Sequence, residues 1–147
     1  MSRHSRRPSG FTLIEMLVVL LVISVLAALV GPMVFRNVGD AKQQAARAQI
    51  ELFGLALDAY RLDTGDYPTT EQGLAVLWEA PTTGPVPAGW RGPYTRKAIP
   101  LDPWGRAYVY RFPAVEARAG YDLVSYGKDG QPGGEDENAD VTSWGSR

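Results

Sequence analysis

The stretch FTLIEMLVVLLVISVLAALVGP, residues 11–32, decides how the rest of the chain is read. Between Phe11 and Val30 nearly every residue is Leu, Val, Ile, Ala, Met or Phe, and one carboxylate, Glu15, stands near the start. About twenty residues at about 1.5 Å each match a hydrocarbon core about 30 Å thick. Arg3, Arg6 and Arg7 come just before the run. Positive charge stays on the cytoplasmic side, which sends the C-terminal part outward. The residues alone leave three readings open: a cleaved secretory signal, for which this core is long; an uncleaved signal anchor; and a segment whose acid finds its partner only on assembly. A carboxylate in lipid costs about 2.5–3.5 kcal/mol near a helix centre and less near the interface. No Lys or Arg inside the segment offsets it. An α-amino group freed at Phe11 by a cut after Gly10 would do so, and in a stack of staggered helices it would reach the Glu15 of another subunit.

The rest of the composition narrows the class. The 147 residues carry a formal net charge of −1, and removing the three positive charges of Arg3, Arg6 and Arg7 leaves −4 for the remainder. Such a surface has no basic excess to displace counterions from phosphates, so no nucleic-acid partner is expected. There is no cysteine, which excludes disulfides, thiol catalysis and cysteine metal sites. The only histidine, His4, precedes the apolar run, so histidine acid–base chemistry and histidine zinc sites are excluded from the chain beyond it. No active site is expected.

Beyond the run, Gly31-Pro32 predicts a kink or local melting, because proline removes a helical hydrogen bond and crowds the preceding turn. The pattern then resumes. Ala41, Ala45, Ala48, Leu52, Leu55, Ala59 and Leu62 recur at three- and four-residue steps, predicting a core-facing stripe broadened by Ile50, Phe53, Leu57 and Tyr60. Lys42, Gln43, Arg47 and Glu51 keep the other side polar. Arg36, Asp40, Lys42 and Arg47 suit a solvated face, or salt bridges between subunits. Thr64-Gly65 is a stop signal, so one helix is expected from about residue 11 to residue 62.

After Gly65 the text is punctuated by Pro and Gly. YPTTEQGLAVLWEAP (67–81) predicts a short helix capped by Thr70, and the proline-rich segment after it predicts a long loop pinned by Trp90, Tyr94 and Trp104. RAYVYRF (106–112), GYDLVSYG (120–127) and ADVTSW (139–144) alternate like strands, the first two joined as a hairpin. The expected class is α+β: a long N-terminal helix, transmembrane in its first half and amphipathic in its second, packed on a small C-terminal antiparallel sheet in a lollipop form.

Near the C-terminus, GKDGQPGGEDENAD (127–140) crowds acids among glycines. These carboxylates repel one another unless solvated or neutralised. A solvated acidic turn and a Ca²⁺ loop are both consistent with the composition, since Ca²⁺ takes six to eight oxygens from carboxylates, Asn and carbonyls. The EF-hand spacing is absent.

Taken together these phrases form a resemblance. A short basic leader ending in Gly10, followed by FTLIEMLVVLLVISVLAALVGP, resembles the class III signal of type IV pilins and type II secretion pseudopilins. DYPTTEQGL, DPWGRAYVYR and YDLVSYGKDGQPGGEDENADV resemble the major pseudopilins of type II secretion systems. The resemblance implies residues 1–10 as a leader removed by prepilin peptidase between Gly10 and Phe11. It implies N-methylation of Phe11, and Glu15 with Phe11 as the assembly pair. Residues 11–35 become the transmembrane and assembly helix, and 36–147 a periplasmic domain anchored in the inner membrane. Also implied are a homopolymeric filament, minor pseudopilins and an inner-membrane assembly platform as partners, and a structural Ca²⁺. Its side-chain ligands would be Asp129 and Asp136, with the Tyr126 carbonyl and with Asn138 or Glu137 completing the shell, while Asp140 orients the loop. The alternatives are a type IV pilus or DNA-uptake pilin, and a monomeric signal-anchored calcium-binding domain.

Overall fold

A computed structural model describes residues 10–82, 86–118 and 120–145, and within α1 it describes only the backbone of Pro32, Met33, Phe35 and Arg36. The leader arginines lie outside the described residues. The chain forms two compact units, Met1–Val38 and Gly39–Arg147. Its element order is one long helix, a short 3-10 helix, two strands, a second 3-10 helix and a last strand.

The helix, α1, spans Leu13–Thr64. Helical structure continues through Gly31-Pro32, so the local melting expected there is absent. A proline deprives a helix of one hydrogen bond, and 52 residues of otherwise regular bonding outlast that loss. The helix ends where Thr64 Oγ1 donates to the Tyr60 carbonyl at 2.8 Å and Gly65, at φ 93°, turns the chain left-handed.

In the first unit, the segment Leu13–Gly31 is long and apolar enough to cross a membrane, with mean hydropathy 3.0 and none of it buried against protein. The apolar side chains face outward on every side, which only a lipid or protein partner can cover.

In the second unit the core-facing stripe of α1 is only partly the expected one: the residues expected to broaden it, Ile50, Phe53, Leu57 and Tyr60, form its buried centre. Ala46, Ile50, Phe53, Leu57 and Tyr60 are buried, at steps of four, three, four and three residues. Ala41, Ala45, Ala48, Leu52, Leu55 and Leu62 are exposed, Leu52 at 62%, Leu55 at 68% and Leu62 at 87%. Both stripes are apolar at helical spacing. The buried one carries the aromatics, and rings bring more area and directional contacts than alanines do. Phe53 meets Tyr108 edge-on at 5.3 Å and Tyr60 meets Tyr94 at 5.6 Å.

The segment after α1 folds around that face. The expected helix at 67–81 is a single 3-10 helix, Leu74–Leu77, which buries Leu74, Val76 and Leu77. Thr70 does not cap it. No side chain does, since its N-cap is Gly73; Thr69 and Gln72 close the preceding turn, Gln72 N donating to Thr69 Oγ1 at 3.2 Å and Thr69 N to Gln72 Oε1 at 2.9 Å. Thr70 Oγ1 is engaged instead with the N–H and carbonyl of Phe112. The proline-rich loop is pinned as expected: Trp90, Tyr94 and Trp104 pack against the core. Trp90 Nε1 donates to the Val76 carbonyl at 3.0 Å, and Tyr94 N donates to that of Leu77 at 2.7 Å.

Three short strands form one antiparallel sheet in the order β1 (Val109–Arg111), β2 (Asp122–Ser125), β3 (Val141–Thr142). Tyr110 pairs with Leu123 and Ser125 with Val141. Every residue of the central strand is buried. The connection from β1 to β2 gathers on Asp122, whose carboxylate accepts N–H bonds from Ala117 (2.7 Å), Val115 (2.8 Å) and Glu116 (3.0 Å). Burial alone would raise its pKa, but those N–H groups and the charge of Arg111 together hold it below the usual carboxylate value.

Two outcomes are expected. Leu57→Ala should destabilise the protein by about 2–5 kcal/mol, whereas Leu55→Ala should stay within about 0.5 kcal/mol in the unassembled protein; urea titration of both variants separates the two stripes. Asp122→Asn should cost about 1–3 kcal/mol at pH 7, since the amide offers those N–H groups one acceptor in place of a carboxylate. A carboxylate with a lowered folded pKa stabilises above its unfolded value near 3.9 and loses that contribution as pH falls through the folded value. The gap between wild type and Asp122→Asn should therefore be full at pH 7 and shrink below about pH 4.

Candidate assembly segment and acidic loop

At the start of α1 the chain makes a reciprocal cap. Glu15 N donates to Thr12 Oγ1 at 3.2 Å, and Thr12 N donates to Glu15 Oε2 at 3.4 Å. The signal for it is the T-x-x-E spacing ahead of an apolar run, which a search for a cationic partner passes over. The acid is thus engaged within its own chain and also sits at the positive end of the helix dipole. Gly10 and Phe11 precede the helix, both exposed, with nothing within 4 Å of where a Cβ on Gly10 would lie. A peptidase needs such an open, non-helical strand of backbone. Farther along, Ser24 donates to the Leu20 carbonyl at 2.7 Å, so the one hydroxyl in the apolar segment is satisfied internally.

Asp40 and Arg47 of the polar face are exposed, and among the described residues the only ion pair is Lys128–Glu137 at 2.5 Å.

The acidic loop follows β2. Asp129 turns the chain by accepting Gln131 N at 3.0 Å, and the Tyr126 carbonyl accepts Gly130 N at 3.0 Å. Asp136 opens the second 3-10 helix, Asp136–Asn138, with φ 52°, a left-handed conformation that Asp tolerates at some cost. Glycines admit close backbone approach. A Cβ on Gly134 would lie 2.6 Å from the Asn138 carbonyl oxygen, and one on Gly127 would lie 2.8 Å from it. Glu137 directs its carboxylate to Lys128, and its carbonyl accepts Lys128 N at 2.8 Å. Asp140 orients the loop as expected: its Oδ2 accepts Gly133 N at 2.8 Å. Its Oδ1 is buried without a hydrogen-bond partner.

These oxygens fit a hard cation in kind. Among the described residues no three His, Cys, Asp or Glu side chains lie close enough to hold a metal by themselves. An ion here would therefore depend on carbonyls as well as carboxylates, the mixture Ca²⁺ accepts and zinc does not. The turn of carbonyls around Gly127 and Gly134 and the orphaned Asp140 oxygen point the same way.

A membrane-length helix running into a small helix-on-sheet unit, with a Gly-Phe junction and a carboxylate three residues past the cap, defines a pilin-like, membrane-anchored structural subunit. The comparisons agree with that class and refine it. Residues 33–144 match the family "Type II secretion system (T2SS), protein G", and residues 5–31 match the prokaryotic N-terminal methylation motif. The chain is 43% identical to the type II secretion system core protein G of Pseudomonas aeruginosa over 139 residues, covering 95% of this chain and 96% of the relative. It is 44% identical to that of Escherichia coli, covering 97% and 95%. The crystal structure of the major pseudopilin of enterohaemorrhagic Escherichia coli superposes with a TM-score of 0.60 at 39% identity, over 71% of this chain and 88% of that one. The chain belongs to the protein G family of type II secretion systems, the major pseudopilins. A type IV pilus subunit and a monomeric calcium-binding domain are thereby set aside.

Proposed function

We propose that this protein is made as a precursor, cut between Gly10 and Phe11, N-methylated at Phe11, and polymerised from the inner membrane into a periplasmic filament whose growth moves folded proteins toward the outer membrane. The observation that carries the reading is the unburied apolar segment Leu13–Gly31, lying within a methylation motif. Lipid covers such a surface before assembly, and like helices cover it afterwards. The exposed stripe of Leu52, Leu55 and Leu62 extends the same logic along α1, as surface suited to another subunit. Glu15 serves twice in this scheme. In the precursor it caps its own helix through Thr12, and after cleavage the Phe11 amine of a neighbour gives it a charge to meet. Prepilin peptidase, minor pseudopilins and an inner-membrane assembly platform are the partners this pathway requires.

A Ca²⁺ in the acidic loop belongs to the same proposal. Asp129 and Asp136 would supply carboxylates and Tyr126 a carbonyl, with Asn138 or Glu137 completing the shell, although Glu137 would first have to leave Lys128. The ion's contribution is charge neutralisation and loop closure, in a chain that has no disulfide to close the loop.

Two measurements test this. The intact mass of the protein purified from membranes should correspond to a chain beginning at Phe11 and bearing one extra methyl group; a retained Met1, or an unmethylated chain with a different start, overturns the processing. Thermal melting of the full chain in detergent should move upward with Ca²⁺ and fall back with chelator, the stability gained being RT ln(1 + [Ca²⁺]/Kd), about 2.7 kcal/mol at one hundred times Kd. A melt indifferent to both removes the calcium site.

A further inference from the structure

The two halves of the acidic loop are each held from outside the loop, by side chains of two different elements. Gln43, on α1, donates through Nε2 to the carbonyls of Asp136 at 3.0 Å and Ala139 at 2.9 Å. Arg106, three residues before β1, donates through Nη1 to the carbonyls of Gly127 at 2.9 Å and Lys128 at 2.6 Å. Each donor spans two carbonyls of one half, the first near the end of the loop and the second near its beginning.

The surroundings are shaped for these two grips. At Gly39, one turn before Gln43, a Cβ would collide with the side chain of Glu137, so that α1 meets the loop where it has no side chain. At Gly130, at φ 71°, a Cβ would lie 2.6 Å from Arg106 Nε, so the guanidinium lies against bare backbone. Arg106 is itself fixed. Its N–H donates to Asp102 Oδ1 at 2.8 Å, its carbonyl accepts Asp102 N at 2.7 Å, and Asp102 Oδ2 receives Ser125 Oγ at 2.6 Å from the end of β2. Asp102 is 4% exposed. The turn that carries Arg106 is thus fastened to the strand from which the loop departs.

We propose that Arg106 and Gln43 are positioning residues for the loop's cation, holding its two halves in the binding arrangement before an ion arrives. The inference rests on the calcium reading above. With the carbonyls of Gly127, Lys128, Asp136 and Ala139 turned to Arg106 and Gln43, the ion's ligands are the Asp129 and Asp136 carboxylates, the Tyr126 carbonyl through the lone pair not used by Gly130 N, and Asn138 or Glu137. A loop already held binds more tightly, because its ordering is not charged against the ion. Partners that orient a metal's ligands from outside typically change affinity by about 10–100-fold when removed. The guanidinium also carries a positive charge close to a cation site. If repulsion dominated, removing it would tighten binding; if positioning dominates, removing it weakens binding, so the sign of the change decides.

The experiment is calorimetric titration of Ca²⁺ into the full chain in detergent, for wild type, Arg106→Ala, Arg106→Lys, Gln43→Ala and Gln43→Glu. Positioning predicts a Kd about 10–100-fold higher for Arg106→Ala and Gln43→Ala. It predicts partial recovery in Arg106→Lys, which keeps a cationic donor but not the fork, and a loss in the near-isosteric Gln43→Glu, which has no donor to offer. Leu57→Val, destabilised in the core away from the loop, should keep the wild-type Kd, separating positioning from general loss of stability. Should wild type bind while both alanine variants bind equally well or more tightly, the positioning role is overturned and the site survives. A wild type that takes up no Ca²⁺ overturns both.

Discussion

Burial of the aromatic face of α1 is the interaction on which the second unit depends. The sheet has strands of three, four and two residues, too little backbone pairing to stand alone. What keeps it in place is Phe53 against Tyr108, Tyr60 against Tyr94, and Leu57 and Leu123, both fully buried. Tyr110, at the middle of β1, is buried and donates to the Pro68 carbonyl at 2.8 Å, so the sheet is tied to the turn that follows the helix. Burial pushes the pKa of Tyr110 and Tyr108 above the ordinary phenol value.

With so little regular structure, the remaining segments are organised by single carboxylates that collect main-chain N–H groups. Asp122 gathers three from the β1–β2 connection, Asp102 holds the turn through Trp104 and Arg106, and Asp140 takes Gly133. A carboxylate has about four lone-pair sites and reaches into a loop that cannot pair with itself. This explains how a chain without cysteine keeps long proline- and glycine-rich connections in one conformation. It also means that acids scattered along the sequence, which read as surface charge, include several that act as internal fastenings.

Much of this was legible in the sequence, and the failures have identifiable causes. The apolar run and its leader gave the membrane segment because twenty apolar residues admit few other uses. Alternation gave the three strands, each longer on paper than in the fold because edges beyond the paired residues lack partners. The helix stripe went wrong because α1 has two apolar faces at the same spacing, and periodicity alone does not rank them. Phe53 and Tyr60, expected only to broaden the stripe, lie at the centre of the buried face. The cap expected at Thr70 does not form because that hydroxyl is taken by the main chain of Phe112, which is remote in sequence. In the acidic loop, composition located the segment, while the contacts of Gln43 and Arg106 were invisible because the first reach across 93 and 96 residues and the second across 21 and 22.

The second apolar stripe of α1 has a consequence for how subunits meet. Leu52, Leu55 and Leu62 face water in the lone subunit, an apolar surface that any contact between subunits would cover. In free solution such molecules meet at every angle, and most encounters are unproductive. A bilayer removes that freedom, since anchored subunits share one plane and one polarity. For a membrane-anchored subunit the bilayer is then also an alignment device, presenting that apolar face of α1 with one polarity.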